Sequence, residues 1–294
     1  LNEKVLKFLL YFLLNWSIFK LLTFIGLGLQ DEYGITLKGL SEARKADIVF
    51  AEFYTSLMPK FKIKNFEKLI KKPIKILNRN EVEEKAEEII LKLAKNKRIA
   101  FLVPGDPMIA TTHVDLRLRA EKAGIKTRVI HGVSIVSAIP GITGLQSYKF
   151  GRTITIPILN GEEPFTSPYE YILKNLSVGL HSLVLLDIDL ERKKYLKIHE
   201  ALKQLLSIEE KLKKGIINEE RLAIGIARAG SKKPIVKADE IKNLMEYDFG
   251  DPPYSLVFPA TLHFMEMDAL IVFAKAKKSL LEKHQKSLKM LRFN

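Results

Sequence analysis

The chain contains no cysteine and a single tryptophan in 294 residues. Without thiols it has no disulfide framework, no thiolate nucleophile, no Cys-ligated zinc and no iron–sulfur chemistry. Its six histidines are scattered, with no pair at His-x-x-x-His spacing. A dedicated transition-metal site is therefore not expected. No Ser-His-Asp order stands out, and no Glu-rich metal cage. Long apolar runs are missing too. The opening "LNEKVLKFLLYFLLNWSIFKLL" is interrupted by Asn15 and Ser17 and bracketed by Lys7 and Lys20, short of the ~20 residues a spanning helix needs. No small-residue cleavage site follows it, so a signal peptide is not expected. A chain opening on Leu fits an alternative start codon or an upstream extension, and residues 1–20 read as an appendage to the fold.

What is present is a globular composition, 47% apolar and 28% charged, long enough for two ordinary domains. Lysine and arginine outnumber aspartate and glutamate 48 to 34, a net charge of +14. Much of this lies on helical patterns such as "KNFEKLIKKPIKIL" and reads first as solvated surface. The other reading is attraction to an acidic partner. No nucleic-acid module accompanies the charge.

From Leu21 the pattern alternates strand and helix. "LLTFIGLG", "DIVFAEFY", "RIAFLVPGDP" and "TRVIHG" read as strands. "TLKGLSEARKA" and "VDLRLRAEKAG" read as helices, as does "EVEEKAEEIILKLAKN", with Val82, Ala86, Ile89, Ile90 and Leu93 on one face. This βαβ order predicts a parallel sheet with helices on both faces. The texture changes after "IPGITGLQSYKFGRT". A second α/β half then holds the strands "TITIPIL", "SLVLLDI", "LAIGIARAG", "IVKA" and "YSLVFPA" among the helices "SPYEYILKNLSVG" and "IHEALKQLLSIEEKL". The expected division is an extension at 1–20, an N-terminal α/β domain at 21–148 and a C-terminal α/β domain at 149–294. Two such halves usually take a ligand in the cleft between them, at the carboxyl ends of strands.

Three corners follow strands of the first half. "IGLGLQDEYG" lacks the third glycine of a dinucleotide fingerprint, Asp31 standing in its place, and its helix starts only near Thr36. "VPGDPMIATTH" sets Asp106 on a turn stiffened by two prolines, where it either faces a ligand or makes an Asx turn or helix cap. "HGVSIVSAIPG" puts Ser134 at a helix start, with the same two readings. "RAGS" and "FGDPPYS" are further corners in the second half, small enough for a backbone to approach a flat ligand. The lone histidines His113, His131, His181 and His263 read as satisfied structural groups.

From Leu21 to about Ala276 the chain resembles the diphthine synthase family of the tetrapyrrole-methylase-like (class III) methyltransferases. The broad pattern lies in "GLGLQDEYGITLKGLSEARKADIV", "VPGDP" and "HGVSIVSAIPG". The narrower one lies in "AEFYTSLM", "GDPMIATTH", "GITGLQSYKFGRT", "LHSLVLLDI", "ARAGS" and "YDFGDPPYSLVFPATLHFMEMDAL". The resemblance implies S-adenosylmethionine in a cleft between two α/β domains, no metal, a homodimer and a cytoplasmic location. It implies as substrate the 3-amino-3-carboxypropyl-histidine of translation elongation factor 2, with no direct nucleic-acid or membrane partner. Carried over, the cofactor contacts are Leu29, Asp106, Ile109, Ser134, Ile135, Leu186, Ala229 and Tyr254. Tyr254 departs from a family His after "DPP", and Ala260 from a family Gly.

Methyl transfer to a neutral amine needs positioning more than proton chemistry, so no residue is named as a base. Glu52, Tyr54, Asp31 and His113 are substrate-side candidates. Two other readings stand beside this one: a same-fold methyltransferase acting on a tetrapyrrole, and a non-catalytic module that binds a translation factor.

Overall fold

The computed structural model describes Val5, Lys7 and residues 20–190 and 192–290; the expected appendage at 1–20 lies almost wholly outside that range. Two compact units meet in sequence at Ser134 and Ile135.

In the first unit five strands form one all-parallel sheet. They are β1 (Leu21–Gly26), β2 (Ile48–Ala51), β3 (Ile74–Ile76), β4 (Arg98–Val103) and β5 (Lys126–Ile130), in the order β3-β2-β4-β1-β5. β4, which leads into the Pro-Gly-Asp-Pro corner, is central. The inner strands β1, β2 and β4 are largely apolar runs because both faces are covered, while the edge strands β3 and β5 carry the exposed Lys75, Lys126 and Arg128. Phe24, Phe101 and Val103 pack with Ile90 and Leu116 on one side; Ile25, Ala100 and Leu102 pack with Ala43 and Phe66 on the other. The helices are α1 (Leu37–Lys45), α2 (Ile63–Ile70), α3 (Arg79–Glu83), α4 (Lys92–Ala94) and α5 (His113–Lys122).

The single helix expected near 81–96 is broken. A turn at Glu84 and Lys85 ends α3, and a π-helical stretch, Glu87–Leu91, then runs directly into α4. Its i→i+5 bonds put more residues in each turn than an α-helix has, which rotates the apolar stripe. Val82, Ala86, Ile90, Leu91 and Ala94 are buried, while Ile89 and Leu93 are only partly covered.

The second unit is also α/β, with a mixed sheet. Its strands are β6 (Ile154–Ile156), β7 (Ser182–Leu186), β10 (Leu222–Ala227), β11 (Ile235–Glu240) and β12 (Tyr254–Phe258), with a small hairpin of β8 (Ile188–Asp189) and β9 (Lys194–Tyr195). The sheet order is β11-β10-β12-β7-β6, and only the β6–β7 pair is parallel. Around it lie α6 (Ile135–Thr143), α7 (Ser167–Ser177), α8 (Ile198–Leu212), α9 (Ile241–Glu246), α10 (Phe264–Ala274) and α11 (Lys278–Met290). The sequence puts the division near 148; the chain changes unit at 134/135. The reason is apolar burial. Ile139 of α6 and the following Leu145 pack with Leu183, Leu222 and Ile224 of the second unit's own sheet.

At the carboxyl ends of β1, β4 and β5 three glycines meet backbone to backbone. A Cβ on Gly26 would lie 2.5 Å from the Gly105 carbonyl and from the Gly132 nitrogen, and one on Gly132 would lie 2.9 Å from the Gly26 Cα. No side chain fits there. Gly132→Ala should therefore cost about 2 kcal/mol or more in urea unfolding. Gly141→Ala, on exposed α6 surface with open space around it, should add roughly 0.5–1 kcal/mol. Equal effects of the two would remove the crossing as a constraint.

Candidate functional site

The first unit gathers its three corners at one sheet end. Gly28 and Gly105 form an antiparallel bridge, with Gly105 N–H donating to the Gly28 carbonyl at 2.7 Å. Asp106 is buried. Its Oδ1 accepts from Met108 N–H at 2.9 Å; its Oδ2 accepts from His131 Nδ1 at 2.8 Å and from Gly132 N–H at 3.3 Å. The carboxylate thus closes an Asx turn and ties the β4 corner to the β5 corner. It does not cap the next helix, which starts seven residues later at His113. Leu29 is half-buried, and Ile109 and Val133 are 41% and 54% exposed. Ser134, buried, immediately precedes α6, whose first residue is Ile135. Asp31 accepts from Tyr33 N–H and so closes its own loop, and α1 is capped by Thr36, as the late helix start predicts.

A second polar group sits at the carboxyl end of β2. Glu52 is fully buried and accepts from Thr55 N–H at 3.0 Å and Thr55 Oγ1 at 2.5 Å. Burial pushes its carboxyl up to about 7, against those hydrogen bonds. His113 Nδ1 lies 3.3 Å from the Pro107 carbonyl and donates to it, leaving Nε2 to accept from the Tyr54 hydroxyl at 3.4 Å. Nε2 is also 3.9 Å from Glu52 Oε1. Burial pushes His113 down to about 4 and raises the Tyr54 phenol. Glu52 and His113 are therefore not an ion pair near neutral pH. They and Tyr54 connect the Pro-Gly-Asp-Pro corner, through Pro107, to the end of β2. Arg79 lies over the Tyr54 ring, 5.3 Å from its centroid.

In the second unit the sheet register brings the remaining predicted contacts to one end. Tyr254 opens β12 opposite Ala227, Leu186 ends the neighbouring β7, and Ala229 lies just past the end of β10. Arg228 adopts a φ of 53° and donates through Nη1 to the carbonyls of Phe249 and Asp251. This joins "ARAGS" to "FGDPPY". The Tyr254 hydroxyl donates to the Gly250 carbonyl, so this departure from the family pattern is used inside its own loop.

The narrow family motifs meet elsewhere in the same unit. Glu266 is fully buried and accepts from Gln146 N–H at 2.9 Å, His263 N–H at 2.8 Å, Lys149 Nζ at 2.5 Å and His181 Nε2 at 3.0 Å. Burial would raise its carboxyl, but these donors hold it at about 2. His181 Nδ1 in turn accepts from Ala260 N–H. Ala260 is buried without a positive φ, so the second departure costs the turn nothing. "GITGLQSYK", "LHSLV" and "LHFMEMDAL" thus form one structural knot. Sequence reasoning missed Glu266, Arg228 and the tie from His131 to Asp106; the position of His131 directly before Gly132 is the one signal that pointed to it. Among the described residues no group of three His, Asp or Glu side chains is arranged to hold a metal ion, and no helix is long and apolar enough to cross a membrane.

The buried carboxyl gives a pH test. Glu52 has a folded pKa raised from 4.5 to about 7, so the folded chain keeps a proton that the unfolded chain has released. The stability it contributes is present below pH 4.5 and is lost as the pH rises to about 7. Glu52→Gln removes that loss. Between these limits its urea stability should gain about 3 kcal/mol relative to the unsubstituted chain. A gap that does not change with pH would mean that the carboxylate is held charged.

Residues 21–244 match the family model described as Tetrapyrrole (Corrin/Porphyrin) Methylases. The diphthine synthase of Methanosarcina barkeri (strain Fusaro / DSM 804) is 50% identical over 264 residues, covering 86% of this chain and 96% of its own. That of Methanothermobacter thermautotrophicus is 49% identical over 263 residues, covering 90% and 99%. The crystal structure of a diphthine synthase superposes with a TM-score of 0.80 at 39% identity, over 89% of this chain and 99% of that one. A putative diphthine synthase from Entamoeba histolytica gives 0.79 at 34% identity, over 88% and 100%. With its glycine-lined strand ends and these relatives matched along almost their whole length, the chain belongs to the tetrapyrrole methylase family, among its diphthine synthases, and is an S-adenosylmethionine-dependent methyltransferase.

Proposed function

We propose that this methyltransferase methylates the amine of the 3-amino-3-carboxypropyl-histidine of translation elongation factor 2, giving diphthine, in the cytoplasm where that factor works. The observation that carries the reading is near-full-length similarity, at about half identity, to proteins named diphthine synthase. The residues present suit a nucleoside-bearing cofactor. Gly105 has a φ of 68°, and only the Val133 carbonyl, at 4.0 Å, comes near the Cβ it lacks, so the corner presents bare backbone. Ile109 and Val133 leave apolar surface beside it. The buried Gln30 Oε1, next to Leu29, has no hydrogen-bond partner among the described groups and is an acceptor left for a ligand donor.

The proposed contacts are Leu29, Asp106, Ile109 and Ser134 of the first unit, and Ile135, Leu186, Ala229 and Tyr254 of the second. S-adenosylmethionine, when bound, supplies an electrophilic methyl group on a sulfonium. The chain's own residues then hold and orient: the crossed glycine corners fix the backbone, and the apolar side chains exclude water. The amine reacts in its neutral form and its proton leaves to solvent, so no side chain is assigned as base. We also propose a homodimer. In its support α10 exposes Phe264, Met265, Val272 and Phe273, and Phe273 helps to line a shallow depression of 530 Å³ with Ile142, Val236 and Tyr247.

Asp106→Ala should weaken calorimetric affinity for S-adenosylmethionine roughly ten- to hundredfold. Asp106→Asn, which keeps the acceptor for Met108 N–H, should lose less. Unchanged affinity in both would reduce Asp106 to a turn residue. On the substrate, mass spectrometry of elongation factor 2 carrying the aminocarboxypropyl group should show gains in steps of one methyl, and the unmodified factor none. Equal methylation of both forms, or of neither, overturns the assignment.

A further inference from the structure

Between Lys60 and Arg79 the sequence holds eight cations and one carboxylate, Glu67. The segment runs from the end of the β2–α2 loop through α2 and the edge strand β3 to the first residue of α3. Glu67 is committed: its Oε1 accepts from Ile74 N–H at 2.8 Å. Lys72 donates to the carbonyls of Arg44 and Ala46, and Arg79 lies 4.0 Å from Glu83. That leaves Lys60, Lys62, Lys64, Lys68, Lys71 and Lys75 exposed, with no carboxylate within 4.0 Å among the described residues.

Several lysines elsewhere are drawn into pairs with carboxylates. Lys283 bridges Glu220 and Glu240, Lys242 pairs with Glu240, Lys237 with Asp239 and Lys211 with Glu163. What sets the segment apart is density, with eight cations against one carboxylate between residues 60 and 79. On α2, Phe66 and Ile70 face the core while Lys64 and Lys68 repeat one turn apart on the outside. Like charges at that spacing repel, and Lys64 in the first turn opposes the helix dipole. Lys68 in the last turn suits the dipole, so the pair leaves the helix charged on its outer side at little net cost from the dipole.

The basic face is fastened to the first glycine corner. Lys60 N–H donates to the Gln30 carbonyl at 3.1 Å. The buried Glu32 accepts from Lys62 N–H at 3.2 Å and from Asn65 Nδ2 at 2.8 Å. The same corner leads into Tyr33 and Leu37, which are 79% and 86% exposed. Large apolar side chains beside a charged rim are the makeup of a protein interface. Nucleic acid fits less well, because the exposed cations of the row are lysines rather than base-reading arginines, and Phe61 and Phe66 lean inward instead of offering stacking faces. A second copy of this chain, itself at +14, would meet the row with repulsion.

Resting on the reaction proposed above, we infer that the lysine row of α2, with Tyr33 and Leu37, docks an acidic face of the protein substrate next to the first glycine corner. The attraction acts on encounter and is screened as the Debye length falls from about 10 Å at 0.1 M salt to about 3 Å at 1 M.

The test compares two variants of equal charge change. One is Lys64→Glu/Lys68→Glu/Lys71→Glu. The other, on the exposed surface of the second unit, is Lys203→Glu/Lys278→Glu/Lys286→Glu. Steady-state methylation of modified elongation factor 2 should show KM raised about tenfold or more in the first at low salt, with its salt dependence flattened. Its kcat, its affinity for S-adenosylmethionine and its circular dichroism should not change. The second variant should stay within about twofold of the unsubstituted chain in all of these. Tyr33→Ala, with no charge change, should also raise KM. Methylation with KM unmoved in the α2 and Tyr33 variants overturns the dock alone. So does equal loss in both charge variants, which would assign the effect to net charge. Loss of ribosomal RNA binding in the α2 variant with KM unmoved gives the face to nucleic acid, and a changed sedimentation coefficient gives it to self-association; either overturns the proposal. No mass gain with the unsubstituted chain overturns the reaction, and this dock with it.

Discussion

The crossing of Gly26, Gly105 and Gly132 is the constraint from which the first unit's site follows. Parallel strands deliver their carboxyl ends to one edge, and three chain segments must turn there at once. Side chains would hold them apart; backbone contact draws them together, with donors and acceptors satisfied between Gly28 and Gly105. Asp106 then completes the junction by accepting from Met108, His131 and Gly132. A carboxylate offers about four acceptor positions, and three are used inside the protein. The alternatives raised by the sequence, turn residue or ligand contact, are therefore compatible on one side chain.

The second unit solves a comparable problem with charge in place of glycine. Glu266 collects four donors, three from two distant segments and one from the cap of its own helix, and their combined pull outweighs its burial. Removing one partner of such a buried group leaves the rest uncompensated. That gives a physical reason for the long motifs around Lys149, His181 and His263 to occur together. They build a support rather than a reaction centre. His113 and Glu52 in the first unit follow another logic, since burial drives both toward their neutral forms.

Much of the fold was legible because its signals are local. Apolar runs ended by glycine or proline gave the strands, and Thr36 and Gly124 marked a helix start and stop where the structure has them. The π-helical turn at Glu87–Leu91 was not legible, since a regular 3.6-residue stripe fits Ile89 and Leu93 as well as their neighbours. Nor was the change of unit at Ser134: the composition shifts near 148, but apolar contact of Ile139 and Leu145 decides membership. At the candidate site the corners could be read from glycine and proline, and the partners of their side chains could not. The bond from His131 to Asp106 joins residues 25 apart, and that from Lys149 to Glu266 joins residues 117 apart. No spacing rule reaches so far.

The absence of a catalytic motif from the sequence also has a chemical explanation. A sulfonium methyl group is already activated, and in the reaction proposed above the accepting amine needs only to be neutral and aligned, so the barrier there is lowered mainly by orientation. Orientation is a property of backbone placement, and it leaves glycines, prolines and small side chains as its trace instead of a triad or a metal cage. The polar groups that are present fit this account. Asp106, Thr55 and His113 each make hydrogen bonds within their own loops, and Arg228 donates to the neighbouring one. They stiffen the corners against which a ligand would be held. A chain built in this way shows its chemistry as shape, and its glycines are more informative about function than its histidines.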